Sequence, residues 1–135
     1  MMRSLAGILL LLLLTSLALQ GCAVVVVGGA AVGAGAATVA WVRGELQSTY
    51  PAPMDGTWDA TLGALKELGI RVYSSKKDAT AGFIEASKVD ATKVKINLEP
   101  AGPGTTTVKI RMGTFGDEEA SMAIHREISR KLGVK

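Results

Sequence analysis

The sequence predicts an α+β fold: a two-layer sandwich over residues 44–135, an antiparallel sheet with two helices on one of its faces. Three observations carry that expectation. Two stretches, Lys93–Leu98 (KVKINL) and Thr105–Met112 (TTTVKIRM), alternate between apolar and polar residues, the period of a strand with one face buried and one wet. Two others space their apolar residues three and four apart: Trp58, Leu62, Leu65 and Leu68 with Ala64, and Ile124, Ile128 and Leu132. That is the period of a helix with one buried stripe. Turn-forming clusters (KKDA, KVDA, EPAGPG) punctuate the chain between strand-like runs.

The elements follow in order. Gly44–Tyr50 reads as a strand with Leu46, Ser48 and Tyr50 on one side, ended by Pro51 and Pro53. A helix follows, with Asp55 or Thr57 as N-cap and Gly69 as its stop. Four strands come next: Ile70–Ser75, Gly82–Ser87, Lys93–Leu98 and Thr105–Met112. One register fits all four, setting Val72, Ile84, Ile96 and Val108 in one inward row and Ile70, Ala86, Val94 and Ile110 in the next. The outward rows are then Arg71, Glu85, Lys95, Lys109 and Tyr73, Phe83, Asn97, Thr107. The last helix runs from about Asp117 to Leu132, with Asp117, Glu118 and Glu119 in its first turn, Arg126, Arg130 and Lys131 in its last, and Gly133 after it. The predicted order is β-α-β-β-β-β-α.

Upstream the chain changes character, because residues 5–42 contain no Asp, Glu, Lys or Arg. Arg3, the apolar run LAGILLLLLL and the more polar residues 15–21 have the layout of a secretory leader, an apolar helical segment that is removed on export. The only cysteine, Cys22, follows at once. A lone cysteine makes no intramolecular disulfide, and one Cys with one His is too few for a zinc site. Leu19-Gln20-Gly21-Cys22 resembles a bacterial lipobox, although Gln20 departs from the commoner Ala or Ser. The resemblance implies diacylglycerol transfer to Cys22 Sγ, cleavage between Gly21 and Cys22, and acylation of the new amino terminus, palmitate being a typical chain. In a Gram-negative cell Ala23 implies, by the same resemblance, sorting to the outer membrane facing the periplasm. Two or three acyl chains anchor a protein stably, where one holds it only marginally.

The expected division is therefore 1–21 signal peptide, 22–43 lipidated cysteine plus a Gly/Ala-rich apolar segment, and 44–135 α+β domain. Three readings of residues 23–42 stay open. The segment enters the bilayer and self-associates through the small residues Gly29, Gly33 and Ala37; or it is a flexible tether; or it is a transmembrane helix beside which Cys22 is incidental. Trp41 next to Arg43 suits a membrane–water boundary.

The whole layout resembles a family of small bacterial lipoproteins known only as a domain of unknown function. The resemblance rests on the lipobox, the Gly/Ala tract, and the segments VRGELQSTY, ATLGALKELGIRV and IRMGTFGDEEAS. It implies location and fold and supplies no activity.

Little in the sequence reads as catalysis. His125 lacks an evident nucleophile or orienting partner and reads as a surface or boundary residue. Asp117, Glu118 and Glu119 are explained by helix-start electrostatics, so no metal is expected. GGAAVGAG lacks the Gly-Lys-Ser/Thr ending of a phosphate loop, and no cofactor is expected. With two Trp, two Tyr, two Phe and a net charge of +3, nucleic acid is not an expected partner. The remaining feature is a basic outer sheet face of Lys93, Lys95, Lys109 and Arg111. It is either solvated surface or a docking face for lipid head groups, cell-wall polymer or an acidic protein. The expected function is a lipid-anchored envelope protein with a non-catalytic interaction or structural domain; the alternative is an anion-binding module working through that face.

Overall fold

The computed structural model describes residues 36–135. The leader, Gly21, Cys22, Gly29 and Gly33 lie outside the described residues. Six strands and two helices follow one another: β1 (Thr38–Val42), β2 (Glu45–Tyr50), α1 (Met54–Glu67), β3 (Arg71–Lys77), β4 (Gly82–Ser87), β5 (Lys93–Gly102), β6 (Thr105–Met112) and α2 (Glu118–Leu132). The strands form one antiparallel sheet in the order β1-β2-β6-β5-β4-β3. Both helices lie on the same face and pack on each other, α2 over β2 and β6, α1 over β3, β5 and β6. The α+β class and the order from β2 onward match the sequence reading, and β1 is an added strand in front.

β1 is built from residues the sequence reading assigned to the apolar segment 22–43. TVAWV is rich in β-formers but lacks polar alternation, so its strand character was masked by the tract before it. Arg43 and Gly44, with φ of 51° and 81°, form the two-residue turn whose twist suits a hairpin, and β2 follows directly. Ala37 therefore precedes a strand rather than lining a helix face, and its N–H donates to the Lys135 carbonyl at 2.8 Å.

Leu46, Tyr50, Ile84, Val94, Ile96, Leu98, Val108 and Ile110 turn inward from the sheet to meet Ala64 and Leu65 of α1 and Ile124 and Ile128 of α2. α1 begins after Pro53 with no side-chain cap, so neither Asp55 nor Thr57 plays the expected role. Thr57 is instead buried inside the first turn, its hydroxyl donating to the Pro53 carbonyl at 3.0 Å, and Leu68 ends up exposed. α2 ends as expected at Gly133, φ 68°, but Asp117 stands just before the helix as its cap, accepting from the Ala120 N–H at 3.0 Å, rather than within its first turn.

The register differs from expectation on both sides of the β4–β5 pair. Ile84 faces Ile96 and Ala86 faces Val94 as predicted, but Ile96 faces Ile110 rather than Val108. β5 runs on through Pro100 to Gly102, past the expected turn, so the hairpin tip falls at Pro103–Gly104 and β6 slides by two residues. On the other side Val72 faces Ala86 rather than Ile84, and a bulge between Val72 and Ser74 adds one more residue to the shift, so that Lys76 rather than Tyr73 lies opposite Phe83.

Candidate functional site

The outer face of the sheet is read strand by strand. With the observed register, Lys95 faces Glu85 on one side and Arg111 on the other, while Lys109 faces Asn97. The expected Lys95–Lys109 and Lys93–Arg111 oppositions do not occur; the adjacent like charges are Lys95 and Arg111. Like charges side by side are destabilising unless compensated, and here the compensation falls on Arg111, with Glu45 3.3 Å from its Nε. Glu85 lies across from Lys95 in the register without forming an ion pair with it.

The four basic residues thus separate into two kinds. Lys109 is paired with Glu99 at 3.0 Å. Arg111 is structural: besides Glu45, its guanidinium donates to the Arg43 carbonyl at 2.9 Å, binding the β1–β2 turn to β6. Lys93 and Lys95 make no ion pair among the described residues. They line an open groove of about 640 Å³ together with Arg111, with Ala91 and Thr92 on one rim and Gly113 and Thr114 on the other. A second hollow, containing Lys76, Phe83 and Asn97, continues the face past Lys95.

The rims are shaped by turns. On one side Lys88 N–H donates to the Thr92 carbonyl at 2.9 Å, and Asp90 accepts from the Thr92 N–H at 3.0 Å. These bonds draw the loop tight enough to hold Ala91 at φ 67°, a left-handed conformation that a residue with a Cβ rarely adopts. On the other side Phe115, 91 % exposed, stands on the loop between β6 and α2, and Val89, 98 % exposed, caps the β4–β5 turn. The arrangement offers two ammonium groups and a backbone-walled groove to an anion, flanked by two apolar tips.

A second polar constellation lies inside the domain. Tyr50, fully buried on β2, places its hydroxyl 2.7 Å from His125 Nδ1 on α2. Burial pushes the Tyr50 phenol well above its usual range, with the Ser48 and Ser129 hydroxyls beside it pulling the other way, although neither reaches bonding geometry. His125 is held below its ordinary value, first by burial and then by the neighbouring Arg126 charge. The phenol is protonated and the imidazole neutral, so the two share one hydrogen bond whose direction follows the imidazole tautomer. His125 is thus a buried residue, 8 % exposed, at the inner limit of the expected surface or boundary placement. The signal was present in the four-residue spacing of Ser121, His125 and Ser129 beside Ile124 and Ile128, all buried on α2.

The chain belongs to the family described as protein of unknown function (DUF3568). Its family model matches residues 6–131, a range that includes Cys22 and all six strands of the sheet. No curated protein matches the chain. The groove and the Tyr50–His125 pair of this DUF3568 chain both lie within the matched residues.

Proposed function

We propose that this is a lipid-anchored protein of the bacterial envelope, held on the membrane through Cys22, whose α+β domain is a non-catalytic interaction or structural module. The observation that carries the reading is the juxtaposition in sequence of an apolar leader, Leu19-Gln20-Gly21-Cys22 and a domain that folds from residue 37 onward. Burial of the chain's one imidazole in the core supports the non-catalytic part, since a general base must meet its substrate. Among the described residues no helix is long and apolar enough to cross a membrane. Replacing Cys22 by Ser tests the anchor: processing and membrane retention in cell fractions are expected to fall sharply. Unchanged processing and retention would refute lipidation.

The groove favours a second layer of this reading, the binding of an anionic group on a head group or wall polymer. Lys93 and Lys95 supply charge that no carboxylate of the described domain pairs with. The double variant Lys93→Glu/Lys95→Glu is expected to lose retention on vesicles containing anionic lipid or on wall fragments, more so at low salt. Arg111 and Lys109 stay untouched in this test because their ion pairs hold the fold. Equal retention of wild type and variant on both supports would refute the binding face.

A further inference from the structure

The two edges of the sheet are finished differently. β3 closes one edge with Arg71, Lys76 and Lys77 and with a bulge between Val72 and Ser74, devices that keep another strand from pairing. β1 closes the other edge with none of these. Thr38–Val42 holds no charge, no proline and no bulge, and Val39, Trp41 and Val42 remain 42 %, 37 % and 40 % exposed. Among the described residues no strand lies beyond it.

The direction of its free backbone groups follows from the turn. A two-residue hairpin closes with its flanking residues, Val42 and Glu45, bonded to each other. Bonding to β2 then falls on Val42, Ala40 and Thr38, and the N–H and C=O of Val39 and Trp41 face outward. Ala37, next in the outward series, shows the same direction, since its N–H reaches the Lys135 carbonyl rather than β2.

We propose that β1 pairs antiparallel with β1 of a second copy of this chain, about a two-fold axis at Ala40, joining the two sheets into one. In that register Val39 of each copy faces Trp41 of the other, so every outward N–H and C=O of the strand finds a partner. Centring on Val39 would set Trp41 against Ala37, whose N–H is already taken. Centring on Trp41 would set Val39 against Arg43, in the turn.

The side chains agree with this register. Val39 and Trp41 stand on the helix side, in line with the buried Ser48 and Leu46, so each indole meets a valine across the axis. The small Ala40 pair sits at the centre of the outer side, and no charge within the strand meets its like. This self-complementarity selects a second copy over a foreign strand. The chain before β1 does not oppose it: residues 23–37 span up to roughly 50 Å when extended. Two copies whose strands start from opposite ends can therefore reach one membrane.

The test uses the full chain solubilised in detergent, with wild type, which shares Cys22, as reference. Ala40→Cys places two thiols across a non-hydrogen-bonded pair, whose Cα separation of about 4.5 Å suits a disulfide. Oxidation is expected to give a disulfide-linked dimer of Ala40→Cys and none of wild type, while light scattering gives a dimer mass for wild type. Val39→Lys/Trp41→Lys sets lysine opposite lysine and is expected to raise the dissociation constant at least about tenfold, with circular dichroism unchanged. A monomeric wild type at micromolar concentration, an Ala40→Cys chain that stays unlinked on oxidation, or one that links to a different protein would each overturn the proposal. The cross-link decides even if the lysine variant misfolds.

Discussion

Replacing Tyr50 by Phe keeps the buried ring and removes one hydroxyl, which isolates the bond to His125. The hydroxyl has no exposure, and its 2.7 Å contact is the one hydrogen bond His125 Nδ1 makes within the described residues. A net bond contributes about 1 kcal/mol, and leaving its buried partner unsatisfied raises the loss to about 2 kcal/mol. For a domain of this size that loss lowers Tm by roughly 8–16 °C. Urea unfolding of Tyr50→Phe, His125→Phe and the double variant, followed by circular dichroism, gives the coupling between the two residues. A coupling of about 1 kcal/mol or more is expected. A Tyr50→Phe protein within about 0.5 kcal/mol of wild type, or a coupling near zero, would refute the view that this bond joins β2 to α2.

The same pair makes stability depend on pH. His125 is held neutral in the folded domain and titrates near 6.5 when unfolded. Between the two values the unfolded chain binds more protons, so stability is full above about pH 6.5 and declines as pH falls toward the lower folded value. Unfolding midpoints measured from pH 8 to pH 5 are expected to fall in wild type and to flatten in His125→Phe over that window; parallel curves would contradict the assignment. Gly82→Ala would bring a Cβ to 2.7 Å from Trp58 Cζ3 and 2.9 Å from Cε3. Forcing the indole aside is expected to cost about 1–3 kcal/mol, seen as a lower urea midpoint with an unchanged slope.

What was legible in the sequence was periodicity, and what was hidden was whatever periodicity does not encode. The inward faces of β2, β4, β5 and β6 follow directly from alternation, and the end of α2 follows from Gly133. A slip of two residues preserves every face, so alternation alone did not distinguish Ile96–Val108 from Ile96–Ile110. The extra length of β5 through Pro100, which decides it, reads locally as a turn. β1 was hidden for the opposite reason, because TVAWV continues an uncharged tract and offers no polar partner rhythm. For the candidate site, the sequence identified the basic residues but not which of them are free. Only the fold brings Glu99 to Lys109 and Glu45 to Arg111, leaving Lys93 and Lys95 at the groove.

Trp58 packs over the bare backbone of Gly82 near the β3 edge, with Lys77 Nζ 5.7 Å from its ring centre, whereas Trp41 stands half in water on β1. The chain's two indoles therefore sit at opposite margins of one sheet, in surroundings of different polarity. Their emission supplies two built-in dyes. Trp58 reports whether the sandwich is intact, and Trp41, through its quenching by solutes, reports whether the open margin is covered. With Trp41→Phe and Trp58→Phe as single-colour controls, folding and assembly become separable signals in the same cuvette.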